Sequence, residues 1–230
     1  MKTALLLLIL LCLNITSLFA QHEADNWFFG DNSGISFESG VPVKLITSGV
    51  NSSEGSAAVS DKTTGKLLFY TDGVTVWNGN HVVVASGLLG HTSGTQTALI
   101  VPNPADSLQY YIFTVPALVP NIPKNAGLYY SLVSIANQSF TILIKNALLY
   151  TGISEKLTGT LDCDESGYWV VTHDNVMNSI YSFHVTVEGV NPKPAISPYY
   201  APDTRHSVGY MKFSPNGLKL AVASYLADSF

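Results

Sequence analysis

The segment with the clearest chemical potential is residues 162–167, with the sequence DCDESG. Oxygen-bearing side chains at its first, third and fifth positions and a glycine at the sixth are how a calcium loop begins, because Ca²⁺ binds six to eight hard oxygens around a sharp turn. The twelfth position is His173, where such a loop needs a bidentate Glu. Asp, Ser and Gly are also ordinary turn residues. Asp162, Asp164 and Ser166 are therefore a candidate calcium site, with a plain hairpin turn as the alternative.

A second candidate group lies in the proline-containing loop 198–207. Tyr199, Tyr200 and Arg205 combine two aromatic rings with a cation, which suits contact with a protein or glycan ligand. Exposed loops at one rim of a fold are common places for binding residues. We predict that these three residues contact a ligand.

The three tryptophans, Trp27, Trp77 and Trp169, have two possible roles. An exposed indole is a stacking platform for sugars or peptides, whereas an indole within a strand buries a large apolar area as core. Trp77 and Trp169 lie in apolar runs, which favours the core for both.

Signals for catalysis are weak. The six histidines include no HExxH motif, and the sequence has no G-x-S-x-G elbow. Asp72, Asp164, Glu165 and Asp174 are the carboxylates that an acid and base mechanism would use. We predict a non-enzymatic protein, with a glycosidase or lyase that acts on extracellular polysaccharide as the alternative.

The composition indicates which elements must position these residues. The chain has 230 residues, 47% of them hydrophobic and only 12% charged, which excludes intrinsic disorder. Abundant Val, Thr, Tyr and Gly favour an all-β fold over helical arrays. A net charge of −5 without any basic run argues against nucleic acid or an anionic membrane surface as a partner.

Residues 1–20 have the layout of a secretory signal peptide, with Lys2, an apolar stretch and a small residue at Ala20. An uncleaved anchor helix is the alternative. We expect the secretion machinery to export the chain, which then carries no membrane-inserted segment and is secreted or lies at the cell surface. Cys163 is the only cysteine after the leader, so no intramolecular disulfide can form.

A strand, a tight polar turn and an apolar strand ending in Thr or Ser recur four times, at residues 56–71, 97–114, 157–172 and 209–224. Repeats of about 50 residues suit the four-stranded antiparallel blades of a β-propeller. We predict that residues 21–230 form about four blades, the last incomplete, as a truncated part of a larger propeller. The alternative is a ring that residues 26–30 close as a borrowed strand.

The chain resembles a known family through six segments: residues 26–45, 54–81, 95–104, 110–115, 168–173 and 209–223. They are similar to the amino-terminal WD-like β-propeller of large surface proteins from gliding bacteria with type IX secretion, described as gliding-motility-associated or type B sorting-domain proteins. The resemblance implies binding, adhesion or scaffolding, and it brings no catalytic residues. In that family further repeats and a carboxy-terminal sorting domain follow, which this sequence does not contain.

The sequence therefore predicts an exported, non-enzymatic β-propeller module that binds a protein or a glycan. No cofactor is expected beyond the candidate calcium ion. A purely structural fragment without a ligand is a further possibility.

Overall fold

The computed structural model describes residues 22–117, 126–136, 139–174, 179–198 and 208–223. These residues form 18 strands, all paired antiparallel, and no α-helix. The all-β prediction is confirmed. None of the described segments forms a helix with the length and apolar character needed to cross a bilayer.

The strands make five small sheets that follow one another along the chain. Sheet one contains β1 (Asn26–Phe29), β2 (Ser33–Ser36) and β3 (Val43–Leu45), and sheet two contains β4 (Ala57–Ser60), β5 (Leu67–Thr71), β6 (Thr75–Asn78) and β7 (Val83–Ser86). Sheet three contains β8 (Ala98–Asn103), β9 (Asp106–Thr114), β10 (Gly127–Ser134) and β11 (Thr141–Thr151). Sheet four contains β12 (Ile153–Leu161), β13 (Tyr168–Asp174) and β14 (Ser179–Thr186), with β15 (Gly189–Val190) and β16 (Ala195–Pro198) both paired to β14. Sheet five is the hairpin of β17 (Met211–Phe213) and β18 (Leu220–Val222).

The four predicted repeat units correspond to the first two strands of sheets two to five. The structure adds sheet one before them, so the described residues contain one sheet more than the repeats predict. The segment 26–30, considered as a borrowed closing strand, is not free, because β1 pairs with β2.

Three apolar layers hold neighbouring sheets together. Successive side chains along a strand point to opposite faces, so one strand can contribute to two layers. In β9, Tyr111 and Phe113 pack towards sheet four, whereas Tyr110 and Ile112 pack towards sheet two. Phe28 of sheet one packs on the buried ring of Tyr70 in sheet two, with ring centroids 4.2 Å apart. Strands covered on both faces explain the apolar runs without polar alternation that the sequence shows.

The first strands of successive sheets touch in chain order: β4 contacts β8, β8 contacts β12 and β12 contacts β17. Because each sheet is an antiparallel meander, the turns between first and second strands gather at one end of these sheets, and the connectors between sheets gather at the other. We call these the turn end and the connector end. The turn end includes residues 61–66, 162–167 and 214–219, and the connector end includes residues 46–56 and 87–97.

The first strand of sheet one runs opposite to the first strand of sheet two. The Asn26 side chain donates to Ser60 Oγ at 3.0 Å, and Ser56 Oγ donates to the Phe28 carbonyl, so β1 runs antiparallel to β4. In direction, β1 therefore matches the second strands of the other sheets, which also run antiparallel to their first strands. Sheet one has no equivalent of a first strand within the described residues.

Candidate functional site

The candidate calcium residues lie in the hairpin turn between β12 and β13, at the turn end. Asp162 Oδ1 accepts the Ser166 N–H at 2.9 Å, and Asp164 Oδ1 accepts the same N–H at 3.2 Å. The Asp162 N–H donates to the Gly167 carbonyl at 3.0 Å, and Glu165 adopts φ 58°. These are the bonds of a tight turn that side chains stabilise.

A further contact ties this turn to the adjacent strand. His184 Nε2 on β14 lies 3.0 Å from Asp162 Oδ2. The bond with His184 is the main cause that lowers the pKa of Asp162, so this carboxylate is ionised at neutral pH. Both Asp162 oxygens therefore have protein partners. No group of three or more His, Cys, Asp and Glu side chains around a metal position occurs within the described residues, and the calcium site stays a prediction.

Trp169 continues this contact chain. Its ring stacks on His184 with centroids 4.3 Å apart and planes 10° from parallel. Trp77 is core, as predicted, whereas the same prediction is wrong for Trp169, which is half-buried and lines a groove between β12–β13 and the β17–β18 hairpin. Trp27 is 53% exposed. The exposed thiol of Cys163 also lines the groove.

Tyr199, Tyr200 and Arg205, the predicted ligand contacts, lie outside the described residues. They belong to the segment that follows β16 and precedes β17, which places them in the connector between sheets four and five. Their predicted role stays a prediction.

The connector end holds a second polar cluster, which the sequence did not indicate. Thr95 Oγ1 lies 2.8 Å from Glu54 Oε2 and 2.9 Å from Glu155 Oε2, and the Thr95 N–H donates to the same Glu155 oxygen at 2.9 Å. Because both carboxylate oxygens reach one hydroxyl group, they are no more than about 6 Å apart. Glu54 is exposed and Glu155 is buried.

Gln96, next to Thr95, links this connector to sheet five. Its side-chain amide donates to the Met211 carbonyl at 2.9 Å and accepts the Met211 N–H at 2.7 Å. The two bonds imitate one step of a β-ladder. The connector between sheets two and three therefore bonds both to β12 and to β17.

Glu155 and Lys156 owe their position to an irregularity at the start of β12. The register with β13 shifts between Ile153 and Leu157, so the intervening residues bulge from the ladder. Lys156 is fully buried, and burial lowers the pKa of its ammonium group to about 8. The available sequence signal was an adjacent Glu-Lys pair in an otherwise apolar and hydroxyl-bearing strand.

The four carboxylates considered for catalysis do not form a single group, because Asp164 and Glu165 lie at the turn end and Asp174 at the opposite end of β13. Asp164 and Glu165 are exposed at the turn end. Asp174 is buried at the opposite end of β13, about 20 Å away at strand rise per residue, and accepts a bond from Tyr181 Oη at 3.0 Å. Asp72 is buried after β5, and its Oδ1 accepts the N–H groups of Val74 and Thr75.

Comparison with known proteins identifies no relative. No family model matches the chain, and neither a curated protein nor a solved structure matches it.

Proposed function

We propose that this chain is an exported β-propeller module that binds a protein or glycan at its connector end without cleaving it. The sequential contacts of β4, β8, β12 and β17 support a propeller arc, in which first strands surround a common axis. Sheet one would then be a blade whose innermost strand comes from elsewhere. The leader and the family resemblance support export to a bacterial surface and a role in adhesion or scaffolding.

The observation that carries the binding proposal is the bonded network of Thr95 and Gln96. These two residues join the second connector to Glu54, to Glu155 and to Met211, so three separate chain segments are fixed at one rim. A rim fixed in advance loses little conformational entropy when a ligand binds, which favours affinity. The connector with Tyr199, Tyr200 and Arg205 begins at this same end and would supply aromatic contacts.

One observation favours an enzyme as the second candidate. One oxygen of Glu54 and one of Glu155, both in contact with the Thr95 hydroxyl, are no more than about 6 Å apart, which is compatible with the separation of about 5–5.5 Å that two carboxylates need to hydrolyse a glycosidic bond with retention of configuration. In that mechanism one of the two carboxyl groups would be the acid and the other the nucleophile. These are not the carboxylates that the sequence suggested.

A single assay separates binding from hydrolysis. The chain is expressed with its leader, purified from the exported fraction, and incubated with a panel of neutral, acidic and amino-sugar oligosaccharides. Retention on immobilised glycan measures binding, and new reducing ends measure cleavage. We expect retention without new reducing ends, and about tenfold weaker retention for Glu54→Gln, since hydrogen bonds to charged groups contribute most to such contacts.

Asp61→Asn is the matched control, because Asp61 lies at the turn end and holds its own turn through Thr63 and Thr64. It should leave retention unchanged. Cleavage that Glu155→Gln abolishes would replace the binding proposal with the hydrolase. Absence of both retention and cleavage across the glycan panel, followed by no capture of surface proteins from the same organism, would favour a purely structural fragment.

A further inference from the structure

The turn end has a groove of about 700 Å³, a size that suits a ligand of a few residues. One wall is the face of sheet four that carries Thr160, Trp169 and Ser182. The other wall is the β17–β18 hairpin, with Phe213 and Leu218. Leu218 is 81% exposed, so a large apolar side chain stands uncovered at the groove's mouth.

The groove is acidic. Asp162 and Glu165 are the charged residues that line it, whereas Lys212 and Lys219 of the β17–β18 hairpin are exposed outside the lining. Asp162 is held in place by Ser166 and His184, as described above. Glu165 is exposed and belongs to the same turn. A fixed negative charge beside apolar walls complements a positive charge on a long apolar stem.

Trp169 provides the surface for such a cation. The ring of this half-buried residue stacks on His184 and also lines the groove, so part of the indole is accessible from the open space. His184 is in turn bonded to Asp162 at 3.0 Å, which fixes the imidazole and the indole together. An indole face is the strongest aromatic acceptor for an ammonium or guanidinium group.

We propose that this groove binds an arginine or lysine side chain of a partner protein, flanked by apolar residues. The cation lies over Trp169 and pairs with the carboxylates of Asp162 and Glu165, and the flanking residues pack on Leu161, Phe213 and Leu218. The site is distinct from the connector end, and it does not depend on the function proposed there.

The test uses the exported chain and a defined probe, acetyl-Leu-Arg-Leu-amide, followed by the NMR shift of the Trp169 indole N–H. The control probe carries citrulline, which keeps the shape of arginine without its charge. We expect saturable binding of the arginine peptide that weakens as salt is raised, and about tenfold weaker binding of the citrulline peptide.

Two series of variants locate the site. Trp169→Phe should weaken binding less than Trp169→Leu, following the strength of the aromatic acceptor. Glu165→Gln should weaken it about threefold, which corresponds to an exposed charge pair. Because a Trp169 variant can disturb the sheet, Leu218→Asn provides a second test at a highly exposed position, where we expect weaker binding with an unchanged fold.

Asp61→Asn, in the corresponding turn of sheet two, should leave binding unchanged. Equal binding of the citrulline peptide, or binding of a neutral oligosaccharide with the same indole shift, would overturn the proposal. So would the absence of any shift at millimolar concentrations of the arginine peptide.

Discussion

The turn at residues 162–167 and the connector end are built by contacts of different range. At the turn end, residues 162–167 fix one another, and the most distant partner of Asp162 is His184, 22 positions away. At the connector end, Thr95 bonds Glu155 over 60 positions and Gln96 bonds Met211 over 115 positions. Local sequence can therefore specify the turn at residues 162–167, whereas the connector end exists only once the sheets have assembled.

The largest expected effect is on the pH dependence of folding stability, and it comes from the buried Lys156. Below pH 8 the Lys156 ammonium is charged in both the folded and the unfolded chain, and its burial destabilises the folded chain. Between pH 8 and about 10.4 the folded chain releases this proton, whereas the unfolded chain retains it. Stability should therefore rise with pH across this window, as a penalty of about 3 kcal/mol is removed. Denaturant midpoints measured from pH 7 to 10 check this expectation.

Ionisation of buried tyrosines sets the highest pH at which stability is expected to rise. Burial raises the pKa of Tyr70, Tyr110, Tyr111 and Tyr168, so above pH 10 the unfolded chain gains by ionising first and stability falls again. Lys156→Met should give a flat profile between pH 8 and 10. A wild-type profile that is already flat there would contradict the assignment of Lys156 as a desolvated cation.

The next largest effect is expected at Gly55, in the first connector. A Cβ on this residue would lie 2.6 Å from the Gly94 carbonyl oxygen and 2.7 Å from the Thr97 nitrogen, both backbone atoms. Gly55→Ala should cost about 2 kcal/mol through overpacking. Gly40→Ala is the control, because its Cβ meets nothing within 4 Å and only the positive φ of 77° opposes it. A loss below about 1 kcal/mol for Gly55→Ala in chemical denaturation would show that the connectors are not tightly packed.

These predictions show which parts of the structure could be inferred from the sequence. The hairpins were predictable because alternating apolar runs and turn residues act over a few positions, as in residues 162–167. Sheet one was missed because β1 to β3 lack the repeated first strand. Glu54, Thr95 and Glu155 were missed because their proximity depends on the packing of separate sheets and on the bulge at the start of β12.

A smaller difference in stability is expected when the hydroxyl groups of Thr95 and Ser166 are removed in turn. Thr95→Val removes the hydroxyl that contacts Glu54 and Glu155, and should cost about 1 kcal/mol. Ser166→Ala should have almost no effect, since the described bonds of Ser166 are made by its N–H group, which alanine retains. Thermal unfolding of both variants measures the contrast, and a greater loss for Ser166→Ala would reverse the comparison between the ends.

The smallest effect is expected from calcium. A calcium ion at residues 162–167 would share the Asp162 oxygens with Ser166 and His184 and so compete with those bonds. We expect millimolar Ca²⁺ to leave the unfolding temperature unchanged. A Ca²⁺-dependent increase that Asp164→Asn abolishes would instead establish the calcium site, because Asp164 has an exposed carboxylate available for a metal ion.

Native-state hydrogen exchange tests the central claim most directly, since it reports the opening free energy of each amide in the unaltered chain. The N–H groups of Gly55, Thr95, Gln96 and Met211 bond across the connector end, and that of Ser166 bonds within its own turn. We predict that the first four amides exchange through an opening close to global unfolding, and that Ser166 exchanges through a much smaller local opening. Rapid exchange of the four connector-end amides, at the level of Ser166, would contradict the account.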